Sequence, residues 1–216
     1  MKAQKTYAVF GLGRYGATVA KELVENGMEV IAVDSNQKIV DEVAAYLPVC
    51  KCANVADAEV IARLGIGNID TVIICMASNL ESSVMAVTLC KEAGVKTVIA
   101  KCGNEMHRKI LLRVGADQVV FPEKESGARL AKNLLSSGFV DMISLSKDVS
   151  SVEIDVKDEW LGKNLIELNL RKKCGLNIVA IKKGDVVNVS INPEQPLDAG
   201  ISLIVLANTA KLAKLK

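Results

Sequence analysis

Six residues carry the strongest chemical signal in the chain. Gly11-Leu12-Gly13-Arg14-Tyr15-Gly16 follows a β-branched run, Thr6–Phe10, and opens a helical stretch. In such a G-x-G-x-x-G segment the first glycine permits a tight turn, the second lets a pyrophosphate approach the backbone, and the third lets helix and strand pack closely. The unpaired N–H groups and dipole of the helix then attract phosphates. Asp34 ends the next predicted strand, at roughly the 20-residue spacing of a carboxylate that accepts both ribose hydroxyls. Its charge repels a 2′-phosphate, so the spacing favours NAD, AMP, ADP or ATP over NADP. The plainer alternative makes Asp34 a cap for the segment beginning at Asn36.

Further polar residues recur where strands end, the edge at which an open parallel sheet binds ligands. Ser35 follows the second strand, Asn54, Val55 and Asp57 the third, Ala77, Ser78 and Asn79 the fourth, Lys101 closes the fifth and Glu123 follows the sixth. Singly, Asn54 or Asp57 reads as a helix cap and Lys101 as a solvated end; together, with Tyr15 beside the glycine segment, they outline one cleft. Arg14 supplies a fixed cationic fork that could reach a terminal phosphate of ATP or ADP, or be only a solvated helix residue. A carboxylate such as Glu123 beside a triphosphate is repulsive unless a divalent cation, Mg2+ or Ca2+, lies between them. Its alternative is a favourable acid in the first turn of a helix.

The elements that must position these residues are legible as an alternation. Strands are expected at 6–10, 29–33, 49–53, 71–76, 97–101 and 118–121, with helices between them, the pattern of a doubly wound α/β domain with a Rossmann-like parallel sheet. Val19, Ala20, Leu23 and Val24 line one face of the first helix, and Gly27 ends it. The stretch 125–137 carries a broad apolar stripe, with Ala128, Leu130, Ala131, Leu134 and Leu135, that needs a partner subunit or its own sheet to cover it. Beyond Asp141 the period changes. Val152 to Val156 alternates strictly, a helical stretch covers 164–173, and strands at 176–181, 186–191 and 201–206 precede a terminal helix, which together make a small α+β domain. Residues 1–140 are thus expected to form the first domain and 141–216 the second, with a Ser- and Asp-rich linker at 141–150.

Composition narrows the function classes. The 216 residues are 50% hydrophobic, with a mean hydropathy of +0.27, enough for a sizeable core and too apolar for a disordered chain. Lys and Arg number 27 against 25 acids, so nucleic acid is not an expected partner. The apolar runs fall far short of the ~18 residues of a membrane span, which leads to an expected cytoplasmic protein. The six cysteines sit mostly in apolar segments and read as core thiols; only Cys50-Lys51-Cys52 approaches metal-site spacing, and His107 is the single histidine. A dehydrogenase would need an acid–base pair that the second domain does not offer, and a redox-sensing repressor would need a basic recognition helix that is not found.

The run Ala8-Val9-Phe10-Gly11-Leu12-Gly13-Arg14-Tyr15-Gly16, with Val33-Asp34, Asn54 and Asp57, Asn79-Leu80-Glu81-Ser82-Ser83, Val98-Ile99-Ala100-Lys101, Gly115-Ala116-Asp117 and Pro122-Glu123, resembles the RCK family (TrkA-N plus TrkA-C). These are cytosolic regulatory subunits of bacterial Ktr/Trk potassium uptake systems. The resemblance spans essentially the whole chain, though in the second half it rests on outline, with Asn169-Leu170-Arg171 and Ile178 to Ile181. It implies a non-enzymatic subunit that binds ATP or ADP, or NAD(H), assembles from dimers into an octameric ring, and sits on the inner face of the membrane against a separate potassium-translocating subunit. By the same resemblance Asp34 would hold the ribose, Gly11, Gly13 and Gly16 the phosphates, Arg14 the terminal phosphate and Glu123 a divalent cation. The 125–137 helix would be an intersubunit crossover. Gram-positive members also bind cyclic di-AMP in the second domain, for which Arg171, Asn177, Ile178 and Pro193 stand in plausible positions; the alternative is a dimerisation module alone.

Overall fold

The structure, a computed structural model, describes residues 5–135, 141–146, 148–208 and 212. It divides into two compact units, 1–123 and 124–216.

In the first unit, strands β1 (Thr6–Phe10), β2 (Glu29–Asp34), β3 (Cys50–Cys52), β4 (Thr71–Ile74), β5 (Thr97–Lys101) and β6 (Gln118–Val120) pair in parallel in the order β3-β2-β1-β4-β5-β6. Side chains alternate across a strand, so a central strand needs apolar residues on both faces. Ala8 and Phe10 join one core with Val33, Val72, Ile74 and Val98, while Val9 joins a second with Val30, Ala32, Ala20 and Ile73. The first core lies against α3 (Ala58–Arg63), α4 (Leu80–Glu92) and α5 (Glu105–Arg113), and the second against α1 (Arg14–Glu25) and α2 (Gln37–Val43). The chain leaves β1 toward β2 and β3 and later returns to its other side for β4 to β6. The carboxyl end of β1 is therefore a switch point, where helices on opposite faces leave a crevice.

The opposite edge is tied by carboxylates. Asp70 accepts hydrogen bonds from the Thr6 N–H and hydroxyl at 3.2 and 3.3 Å and pairs with Lys96 at 2.9 Å. Asp117 accepts from the Val98 N–H at 2.7 Å and pairs with Lys91 at 3.1 Å. The Lys96 bond holds the Asp70 carboxyl below its ordinary range; for Asp117 burial pulls upward, and the Val98 and Lys91 bonds outweigh it. The Asp of Gly115-Ala116-Asp117 thus joins β5 to β6 and stands apart from the ligand edge.

The second unit is an antiparallel sheet in the order β10-β9-β11-β8-β7. Its strands are β7 (Asp141–Ser144), β8 (Val149–Asp155), β9 (Asn177–Lys183), β10 (Val186–Asn188) and β11 (Ile201–Asn208). One face is packed by Val152, Ile154, Leu203 and Val205 against Trp160, Leu168, Leu170 and Leu176. The segment read as a linker, 141–150, instead supplies β7 and the start of β8. The expected helix 164–173 is broken into α7 (Leu165–Leu168) and α8 (Leu170–Cys174) by Asn169, in the left-handed region at φ 46°. Helix α6 (Pro122–Leu135) covers most of the predicted 125–137 stretch, and its Leu130 and Leu134 are 60% and 76% exposed. Residues 136 and 137, and the terminal helix apart from the buried Leu212, lie outside the described residues.

Candidate nucleotide site

At the switch point a cavity of about 300 Å³ opens between the β1–α1 turn, the β2–α2 turn, the loop after β3 and the start of α4. The glycine turn forms as its spacing requires. Gly11 sits at φ +86°, a conformation side chains rarely adopt, and its N–H donates to Val33 O at 2.8 Å. A Cβ on Gly16 would lie 1.9 Å from the Gly11 carbonyl oxygen, so α1 can run this close to β1 only with glycine there. Gly13 is different: a Cβ would meet no protein atom within 4 Å, so the room in front of it faces outward. Helices α2 to α5 carry side-chain caps from Asn36, Asp57, Asn79 and Asn104, whereas α1 begins at Gly13 with no capping side chain and no acid in its first turn. The positive end of α1, whose N-cap residue Gly13 lines the cavity, therefore carries no side-chain acceptor or acid and suits an anion from outside.

Asp34 lies beside this turn, half-buried. Its Oδ2 accepts the Leu12 N–H at 2.7 Å and its Oδ1 the Asn36 N–H at 2.8 Å. One carboxylate therefore ties the glycine turn to the β2–α2 turn, while the cap of α2 is Asn36, whose side chain accepts from Lys38 N. A carboxylate has about four lone-pair sites, so two remain for ribose hydroxyls.

Of the residues expected at this edge, Gly11, Gly13, Asp34, Ser35, Asn54, Val55, Ser78 and Asn79 line the one cavity. Gly16 supports it from behind. Asp57 caps α3, and Arg14, Tyr15, Ala77, Lys101 and Glu123 are not in the lining. The last two are joined to each other: Lys101 Nζ lies 2.6 Å from Glu123 Oε1 and 5.8 Å from the centre of the Tyr15 ring. The Lys101 bond, aided by the Glu123 N–H and the Arg14 charge, holds the Glu123 carboxyl below its ordinary range. Sequence reasoning passed over Cys75, Met76 and Ser82, which also face the cavity. Ser82 stands one helical turn after Asn79, a spacing that would have found it.

Burial pushes the Cys75 and Cys90 thiols up to about 12, so neither is a thiolate at neutral pH. Cys52, by contrast, is exposed, against the expectation of a core thiol. Among the described residues no group of three or more His, Cys, Asp or Glu side chains could hold a metal ion, and no helix is long and apolar enough to cross a membrane.

In the second unit a cavity of about 220 Å³ is lined by Arg171, Asn177 and Ile178 together with Leu165, Asn169, Leu170 and Leu176. Pro193 is outside the lining, but its carbonyl accepts the Leu165 N–H at 3.1 Å.

These features have close counterparts. Residues 7–122 match the TrkA-N domain and residues 149–216 the TrkA-C domain. The chain is 36% identical to the Ktr system potassium uptake protein C of Bacillus subtilis (strain 168), over 98% of this chain and 96% of that one. It is 33% identical to the Ktr system potassium uptake protein A of Vibrio alginolyticus, over 98% and 97%. Among solved structures, the GsuK channel bound to NAD has a similar fold (TM-score 0.65, 18% identity, 99% of this chain and 39% of that one). So has the TrkA-N domain of the inner membrane protein ybaL from Escherichia coli (TM-score 0.55, 18% identity, 62% and 99%). With both domains matched in order and full-length relatives above 30% identity, the chain belongs to the TrkA-N/TrkA-C family of Ktr-type potassium uptake proteins.

Proposed function

We propose that this protein is a nucleotide-sensing regulatory subunit that gates potassium uptake through a separate membrane subunit, acting by binding rather than by turnover. The observation that carries this reading is the cavity at the β1/β4 switch point, into which the glycine turn and Asp34 both face. The ligand is an adenine nucleotide, ATP or ADP, with NAD(H) sharing the adenosine half. Its ribose hydroxyls bond to Asp34, and its phosphates lie over Gly13 on the uncapped start of α1. Ser35, Asn54 and Val55 border the adenosine end, and Ser78 and Asn79 the inner wall.

Gating requires that a nucleotide bind two assembly shapes unequally, because equal affinity shifts nothing. Arg14, in the first turn of α1, is the group on which a third phosphate makes that difference. Glu123, near enough to Arg14 to feel its charge, is the residue to hold Mg2+ or Ca2+ at that phosphate. A single carboxylate is too few ligands by itself, so phosphate oxygens complete the shell.

The exposed Leu130 and Leu134 of α6 are covered by a second copy, in an octameric ring built from dimers that docks on the inner face of the cell membrane. The second cavity, where Arg171, Asn177 and Ile178 meet, takes cyclic di-AMP, and its arginine supplies a fork for phosphate. Pro193 borders it through the contact with Leu165.

Arg14→Ala tests the reading directly. In calorimetry the variant is expected to bind ADP about as well as the parent while losing most of the preference between ATP and ADP, roughly tenfold in ATP affinity for one lost charged phosphate contact. Unchanged selectivity would remove Arg14 from the phosphate-sensing role.

A further inference from the structure

We propose that Lys101 is a tethered cation that withholds Glu123 from divalent ions and thereby sets the cation requirement of the nucleotide site. The inference rests on the reading of that site given above, and adds to it a competitor already built into the chain. Lys101 ends β5, and Glu123 stands just after β6, the neighbouring strand. Their side chains meet at 2.6 Å as a short charge-assisted bond.

The two partners are unequally placed. The Lys101 side chain is 14% exposed, held among its neighbours with its ammonium near the Tyr15 ring, whereas Glu123 is 62% exposed. The cation is the more covered partner and the acid the more open one. A divalent ion bound to Glu123 must approach its oxygens to about 2.0–2.6 Å. Oε1 already faces the ammonium, so that ion would sit within a few ångströms of a like charge. Either the lysine shifts away or the ion binds weakly. Arg14 adds positive charge on the same side, which makes a metal at Glu123 still more dependent on phosphate oxygens to offset the repulsion.

Calcium titrations of the full chain, with and without saturating ATP, test this in the parent, Lys101→Met, Lys101→Arg and the double variant Lys101→Met/Glu123→Gln. Removing one like charge at this range is worth about tenfold or more. Lys101→Met is therefore expected to bind calcium about ten times more tightly than the parent in the ATP-loaded protein. Lys101→Arg should match the parent, and the gain should vanish in the double variant. Calcium affinity that is unchanged or weaker in Lys101→Met, a gain that survives without Glu123, or no calcium binding to any form would overturn the proposal. ATP affinity is measured separately in chelator: its absence would count against the nucleotide reading, whereas ATP binding with calcium affinity unchanged in Lys101→Met would overturn the role of Lys101 alone.

Discussion

Gly16→Ala is expected to weaken nucleotide binding roughly 100-fold and to lower the melting temperature by several degrees. The added Cβ would lie 1.9 Å from the Gly11 oxygen, 3.1 Å from the Gly11 carbonyl carbon and 3.2 Å from Cys75 Cβ. Real contacts of this kind stay beyond 3.0 Å, and here the obstacle is backbone, so α1 or the turn must move by about an ångström. Overpacking in a well-filled interior costs roughly 1–3 kcal/mol. The same shift moves the first-turn N–H groups out of line with the phosphates, and losing two hydrogen bonds to a charged group forfeits roughly 100-fold or more in affinity. The matched control is Gly13→Ala. That Cβ meets nothing in the protein, so thermal stability should hold while ATP affinity falls, because the new methyl occupies the phosphate approach. Equal ATP affinity in Gly13→Ala and parent would show that phosphates do not lie there.

Asp34→Ala carries the second large effect and separates the sugar from the tail. The carboxylate holds the Leu12 and Asn36 N–H groups at 2.7 and 2.8 Å and offers its remaining lone pairs to two ribose hydroxyls. Hydrogen bonds to a charged group contribute about 1.5–3 kcal/mol each, so losing both ribose bonds is worth roughly 100-fold or more. ATP, ADP and NAD share this ribose, so their affinities should fall together. Arg14→Ala, in contrast, should separate ATP from ADP. Calorimetry on the three ligands distinguishes the patterns, and near-parent affinity in Asp34→Ala would reduce this residue to a tie between two turns.

The parallel sheet could be read from sequence because its strands are buried on both faces, so β-branched runs such as Thr71 to Ile74 and Thr97 to Ala100 stand out without reference to neighbours. The glycine turn and Asp34 were legible for a related reason: each answers a local backbone demand. What escaped depends on partners distant in sequence. The Lys101–Glu123 pair joins the end of β5 to the start of α6, and no periodic pattern marks that meeting. Strand β7 was hidden because Asp141-Met142-Ile143-Ser144 is only four residues long and does not alternate, so that only its pairing with β8 reveals it as strand. The break at Asn169 depends on a left-handed residue other than glycine, which helix periodicity does not register. Asn54 and Asp57 had two readings, cap and ligand contact, and Asn79 was read only as a ligand contact. All three make the capping or turn bonds, and Asn54 and Asn79 also face the cavity.

A crystal structure of the chain grown with ATP bears most directly on the central claim. The account predicts a nucleotide across the carboxyl edge of the first sheet, its ribose hydroxyls on the Asp34 carboxylate and its phosphates against Gly13 and the start of α1. Well-ordered ATP bound elsewhere, or that crevice closed by side chains at saturating ATP, would contradict it.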